Sequence, residues 1–177
     1  MATILAFAGS NSSTSVNFKL VKHTASLIQG HKVQLLNLAN FPFPMYSADH
    51  ERESGFSNSL VELKDDINKV EGIVLSVNEH NGGPSAYFKN LTDWLSRLDM
   101  KFLEGTKVFL MSASPGRGGG KNALEIVEKG LSRFGADVVA TFSLPSFNHN
   151  FDLETGITDS ELKELHAEAM NQFLAKI

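Results

Sequence analysis

The 177-residue chain carries 16 Lys and Arg against 20 Asp and Glu, a formal net charge of -4 with a pI near 5.8, so no basic stripe is left over for a nucleic-acid backbone. It has no Cys, which excludes disulfides, thiolate catalysis and cysteine metal sites. No apolar run approaches the roughly 18 residues of a membrane span, and the first residues lack a basic segment ahead of a cleavable signal. The expectation is a soluble, cytoplasmic protein with one domain over residues 1–177, because no Pro, Gly or Ser tract divides it.

Thr3 to Ala8 reads as a short apolar strand, and the small polar residues Gly9 to Ser15 after it suit a strand-to-helix turn. From Asn17, the residues Phe18, Val21, Ala25 and Ile28 share one helical face, and Gly30 supplies a stop. Val33, Leu35 and Leu38 mark a second strand; Asn40 to Ser57, with Pro42, Pro44 and Gly55, is expected to be surface loop. Leu60, Leu63, Ile67 and Val70 repeat at helical spacing, with Ser59 and Glu62 placed for a capping box. Gly72 to Val77 is an apolar, β-branched run that suits a strand covered on both faces. The polar segment Asn78 to Gly83 follows, and Pro84 is expected at the first helical position.

Phe88, Leu91, Leu95 and Leu98 then carry a buried helical face, with Lys89 and Asp93 one turn apart on its surface. Lys107 to Ala113 is a fourth strand, and its glycine-rich exit, Ser114 to Gly120, must be loop. Leu124, Val127, Leu131 and Phe134 form a helix stopped by Gly135, and Val138 to Phe142 is the fifth strand. A final helix is expected with Thr158 and Glu161 as its capping box and Leu162, Leu165, Ala169 and Phe173 facing inward.

This alternation predicts a doubly wound α/β domain with a five-stranded parallel sheet. In the order 2-1-3-4-5, strands 1, 3 and 4 are neighbours and the switch point lies between strands 1 and 3, where ligands bind in such sheets. The exits of those three strands are rich in Gly, Ser and Asn, so one contiguous site is expected, centred on Asn78 to Gly83. Gly9 to Asn17 taken alone has two readings: a phosphate cradle at a helix N-terminus, or an ordinary capping loop. Its spacing is neither the dinucleotide glycine fingerprint nor a Walker loop, which favours a monophosphate. The six His have no metal-ligand spacing, GxSxG is absent, and no acid is placed to orient a triad around His80. Neither a metal site nor a hydrolase is expected, and Trp94 reads as core.

Three motifs in order carry a family resemblance. Gly9-Ser10, Ser15 and Asn17, then Asn78-Glu79-His80-Asn81-Gly82 with Pro84, Lys89, Asn90, Asp93 and Trp94, then Ser114-Pro115-Gly116-Arg117 with Gly119, resemble the NADPH-dependent FMN reductases, a flavodoxin-like family. That family shows GSxRxxSxN after its first strand and PEYNxxxPxxLKNxIDW after its third. The resemblance implies FMN at the switch point, with its phosphate on Ser10, Ser12, Ser15, Val16 and Asn17, its ring along Asn78, Glu79, His80, Asn81 and Gly82, and Ser114, Pro115, Gly116 and Gly118 closing another side. It implies NADPH or NADH as reductant and a small electron acceptor (a quinone, an azo or nitro aromatic, a metal oxyanion or free flavin), in a homodimer or homotetramer. The chemistry is then the cofactor's, with no protein acid or base required. The chain departs from the motifs at Ser12, which stands for Arg, and at Asn78 and His80, which stand for Pro and Tyr. A flavodoxin-like FMN electron carrier or binding module without NAD(P)H activity is the alternative.

Overall fold

The computed structural model describes residues 1–177. Strands β1 (Thr3–Ala8), β2 (Lys32–Leu36), β3 (Gly72–Val77), β6 (Lys107–Ala113) and β7 (Asp137–Leu144) form one parallel sheet in the order β2-β1-β3-β6-β7. This is the doubly wound order that the alternation predicts. Two-residue hairpins β4 (Glu79–His80) with β5 (Gly83–Pro84), and β8 (Phe151–Asp152) with β9 (Gly156–Ile157), lie outside it. The helices are α1 (Val16–Leu27), α2 (Ala48–Ser54), α3 (Asn58–Asn68), α4 (Ala86–Leu98), α5 (Lys121–Arg133), α6 (Phe147–Asn150) and α7 (Ser160–Leu174).

The two-residue period of the central strands divides the core in two. Leu5 and Phe7, Ile73, Leu75 and Val77, and Val108 and Leu110 point to one face, where they meet α3, α4 and α5 through Leu60, Leu63, Ile67, Phe88, Leu91, Leu95, Val127 and Leu131. Ile4, Ala6 and Ala8, Val74, and Phe109, Met111 and Ala113 point to the other, under α1 and α7. Both faces of β3 are therefore dry, as its uninterrupted apolar run requires.

Several local expectations are corrected. The segment 40–57 is not all loop: α2 forms on Ser47, whose hydroxyl caps His50 N–H. No residue of α2 is buried, so it left no apolar period to read. Pro84 ends the β4–β5 hairpin; Ser85 is the N-cap of α4, its Oγ accepting from Phe88 N–H at 3.2 Å. The capping boxes also fail. Ser57 precedes α3 without a side-chain cap bond, and Asp159 rather than Thr158 caps α7, accepting from Leu162 N–H at 2.9 Å. On α1 the buried face is Asn17, Leu20, Val21 and Thr24, with Phe18 and Ala25 half-buried beside it. On α7, Leu165 is 47% exposed and His166 takes the inward place. In both helices polar side chains lie on the inner face, which the search for apolar period passes over.

Candidate functional site

Because β1, β3 and β6 are adjacent, their exits emerge side by side at the carboxyl edge of the sheet. Gly9 N–H donates to Ser76 O at 2.9 Å, and Ser85 Oγ donates to Gly9 O at 3.1 Å, which ties the first exit to the second. Asn17 ties them both to the third. Its Oδ1 accepts from Ser76 Oγ at 2.7 Å and Ala113 N–H at 2.8 Å, and its Nδ2 donates to Ala113 O at 3.0 Å. The Asn17 side chain is buried and committed to this bracing, so only its backbone N–H is left for a ligand.

The first exit is a set of neutral donors. Ser12 N–H is held on Ser10 Oγ at 3.2 Å, Thr14 N–H on Ser12 Oγ at 3.3 Å, and Ser15 caps α1 by accepting from Phe18 N–H at 3.2 Å. The N–H groups of Val16 and Asn17 have no acceptor within the protein and open the 12-residue helix α1. Unpaired N–H groups at the positive end of a helix, beside serine hydroxyls, suit a phosphate. Ser10 and Ser15 are almost buried, whereas Ser12 is exposed.

The second exit is a hairpin. Asn81 (φ 52°) and Gly82 (φ 79°) both take left-handed backbone, as a two-residue hairpin turn needs, and Asn-Gly is the sequence signal for such a turn. That signal stood in the sequence beside the site residues and was the one way to find the hairpin. Asn78 Nδ2 lies 3.0 Å from His80 Nε2, while Asn78 Oδ1 is buried without any partner. His80 is exposed at the rim. Counted against the motif, Pro84 falls one position early, and the capping Ser85 stands where the family has proline.

The third exit is held by its own backbone. Ser112 Oγ and Ser143 Oγ both donate to Gly119 O, at 2.8 and 3.0 Å, and Ser146 N–H donates to Gly116 O at 2.9 Å. Gly119 takes φ 63° and a Cβ on it would collide with Ser143 and the Pro145 nitrogen, so only glycine fits. Pro115, Gly116, Arg117 and Gly118 are exposed, and Arg117 makes no hydrogen bond or ion pair.

Asn90 and Trp94, which carry the family signature, serve a different part. Asn90 Nδ2 and Trp94 Nε1 donate to Pro44 O at 3.0 and 2.8 Å, and Tyr46 N–H donates to Asn90 Oδ1 at 2.8 Å. They clamp the strap from Phe41 to Ser57 onto α4, where Glu51 joins Tyr46 and Arg97. The Arg97 guanidinium holds the Glu51 carboxyl below its ordinary range. Sequence reading missed Tyr46, Glu51 and Arg97, whose partners lie on another element. Within this strap Phe41, Phe43 and Tyr46 pack on the core, while Met45 is exposed.

The three exits form an open rim; the two widest clefts, about 380 Å³ each, lie elsewhere, between α4 and α5 and between α7 and β7. Nothing stands within 4 Å of where side chains would project at Gly82, Gly83 and Gly118, so these positions of the hairpin and third loop border open space. The donor set at α1, this space and the unpartnered Asn78 Oδ1 fit the phosphate and polar ring edge of FMN.

Comparison with known proteins agrees. Residues 2–149 match the family described as NADPH-dependent FMN reductase. A quinone reductase of Escherichia coli is 36% identical over 77 residues, 44% of this chain and 41% of that one. An uncharacterised protein of Mycoplasma pneumoniae is 27% identical over 154 residues, 84% of this chain and 90% of its own. Among solved structures, FerB of Paracoccus denitrificans, a flavoenzyme NAD(P)H:(acceptor) oxidoreductase, superposes with a TM-score of 0.80 at 22% identity, over 99% of this chain and 96% of that one. Since the match takes in all five strands and all three exits, the chain belongs to the NADPH-dependent FMN reductase family and is an oxidoreductase that uses FMN and NAD(P)H.

Proposed function

We propose that the rim formed by the exits of β1, β3 and β6 is an FMN site at which electrons from NADPH or NADH reach a small oxidised acceptor, of the quinone class before azo or nitro aromatics, metal oxyanions or free flavin. The observation that carries this is the pair of unpaired N–H groups of Val16 and Asn17 beside the hydroxyls of Ser10, Ser12 and Ser15 at the switch point between β1 and β3. The name of the Escherichia coli relative supports the acceptor class.

FMN, when bound, supplies hydride transfer from the nicotinamide and onward to the acceptor. This chain's residues orient and enclose it. The hydroxyls of Ser10, Ser12 and Ser15 and the N–H groups of Val16 and Asn17 hold the phosphate. The segment Asn78 to Gly82, Glu79 included, borders the ring edge through its backbone, with His80 at the rim, and Ser114, Pro115, Gly116 and Gly118 close the opposite side. Reductant and acceptor use the open face in turn. The reading includes a cytoplasmic location and assembly into a homodimer or homotetramer that covers the exposed Met100 and Ile126 beside the α4–α5 cleft.

Absorbance spectra of the protein with FMN, followed by anaerobic addition of NADPH or NADH, test the proposal. Flavin bands that shift on binding and then bleach are expected. Bound flavin that stays oxidised with both nucleotides would mean an electron carrier, and absence of binding would remove the site.

A further inference from the structure

Glu79 stands in the hairpin next to the predicted ring, yet its carboxylate is engaged elsewhere. Its Oε2 accepts from Ala123 N–H at 3.1 Å, and its Oε1 lies 3.4 Å from Asn122 Nδ2. Both partners belong to the first turn of α5. That helix opens on Gly120, φ 80°, which has no side chain to cap it. Lys121 N–H bonds Gly118 O and Leu124 N–H bonds Gly120 O, so the Glu79 carboxylate takes the first-turn donor that an N-cap side chain would satisfy. Helices α1, α2, α4 and α7 are capped by the residue just before them, Ser15, Ser47, Ser85 and Asp159; α5 takes its cap from another segment of the chain.

We infer that Glu79 is a positioning residue: by capping α5 across the site it locks the β4–β5 hairpin to the glycine-rich loop that runs into α5. Under the FMN reading, on which this rests, these are the two walls between which the ring lies. The Glu79 carboxylate is therefore a polar tie between these walls, added to the packing of the hairpin on α5. It has an electrostatic consequence too. A carboxylate on the first turn of α5 occupies the positive end of that helix, while the N-terminus of α1 keeps unpaired N–H groups. Of the helix ends at the exits of β1 and β6, that of α1 keeps two adjacent unpaired N–H groups with no carboxylate on them, which favours it for a phosphate.

The test compares the full-length protein with Glu79→Ala and Glu79→Gln. The glutamine amide oxygen keeps an acceptor for Ala123 N–H but carries no charge. In the protein without flavin, amide exchange in residues 79–84 and 118–124 should quicken together by about tenfold in Glu79→Ala, the order of one lost helix cap, and return close to wild type in Glu79→Gln. FMN affinity, followed by flavin fluorescence, should fall by about tenfold in Glu79→Ala and recover in Glu79→Gln, with the spectrum of the bound flavin unchanged in both. Exchange that quickens at α5 alone, or FMN affinity untouched by alanine, would reduce Glu79 to a local cap and overturn the inference. A glutamine variant as weak as alanine with a shifted flavin spectrum would overturn it also, by showing direct contact. Should the wild type bind no FMN, the functional reading fails, and the exchange data still decide whether Glu79 couples the two segments.

Discussion

Asn17 and Ser12 belong to one motif and stand in opposite relations to the ligand. Asn17 is the brace of the carboxyl edge: replacing it with alanine strands Ser76 Oγ, Ala113 N–H and Ala113 O in a buried place. With roughly 1–3 kcal/mol for each buried group left unpaired and some relaxation, Asn17→Ala should lose about 3 kcal/mol in urea unfolding. A loss below about 1 kcal/mol would mean that the edge is held without it. Ser12 is exposed on the cradle, and the family pattern has Arg there. Ser12→Arg places a guanidinium beside the phosphate site, where a charge-assisted contact adds to neutral donors. FMN should bind about tenfold more tightly at low salt, and the gain should shrink as salt is raised. Unchanged affinity in a fluorescence titration would show that the phosphate does not lie at this loop.

At the scale of elements, what the sequence disclosed followed from burial. The strand β6, Lys107–Ala113, was legible to the residue because a strand dry on both faces is a continuous apolar run between polar ends. The three loops were legible as one site because sheet order alone makes their strands neighbours. Helix α2 was not, since it lies within the strap and buries none of its residues. Helix starts slipped by one or two residues at Ser57, Ser85 and Asp159, because Ser, Thr and Asp are frequent near every helix start and only geometry selects the cap. The candidate site residues were named as stretches, not by role. That Asn17 braces, Glu79 caps and Trp94 clamps depends on partners distant in sequence, Ala113, Ala123 and Pro44. The motif of α4 thus serves the strap: through Asn90 and Trp94 it fixes the connection that leaves β2, the edge strand beside β1.

For the whole molecule, the face beneath α1 and α7 contains a titrating pair that makes stability depend on pH. His166 is 1% exposed; its Nε2 lies 2.8 Å from Thr24 Oγ1, and its ring packs against Phe109, Phe142 and His23. Burial, with His23 adding to it, pushes His166 down to about 4. Burial and then the Lys163 ammonium lower His23 as well. Lys19, Lys22 and Glu154 border the His23 side, and no carboxylate is hydrogen-bonded to either ring. Both histidines bind a proton less readily in the folded chain than in the unfolded one, where they titrate near 6.5. Above about pH 6.5 neither state binds the proton. Between that pH and about 4, the unfolded chain binds a proton that native His166 refuses, so stability falls as pH falls; below it both forms bind and the loss ends. His166 alone should account for about 2 kcal/mol between pH ~7.5 and ~5, and about 3 kcal/mol in full. The window separates it from Glu51, Glu71 and Asp152, whose lowered carboxyls lose their contribution only as pH drops below the usual carboxylate range. Urea unfolding of wild type and His166→Leu at the two pH values checks this. Thr24 already donates to Leu20 O at 3.0 Å, so leucine leaves no stranded hydroxyl. The variant should show a pH slope reduced to the part that His23 supplies; equal slopes would mean that His166 is protonated without cost inside the fold.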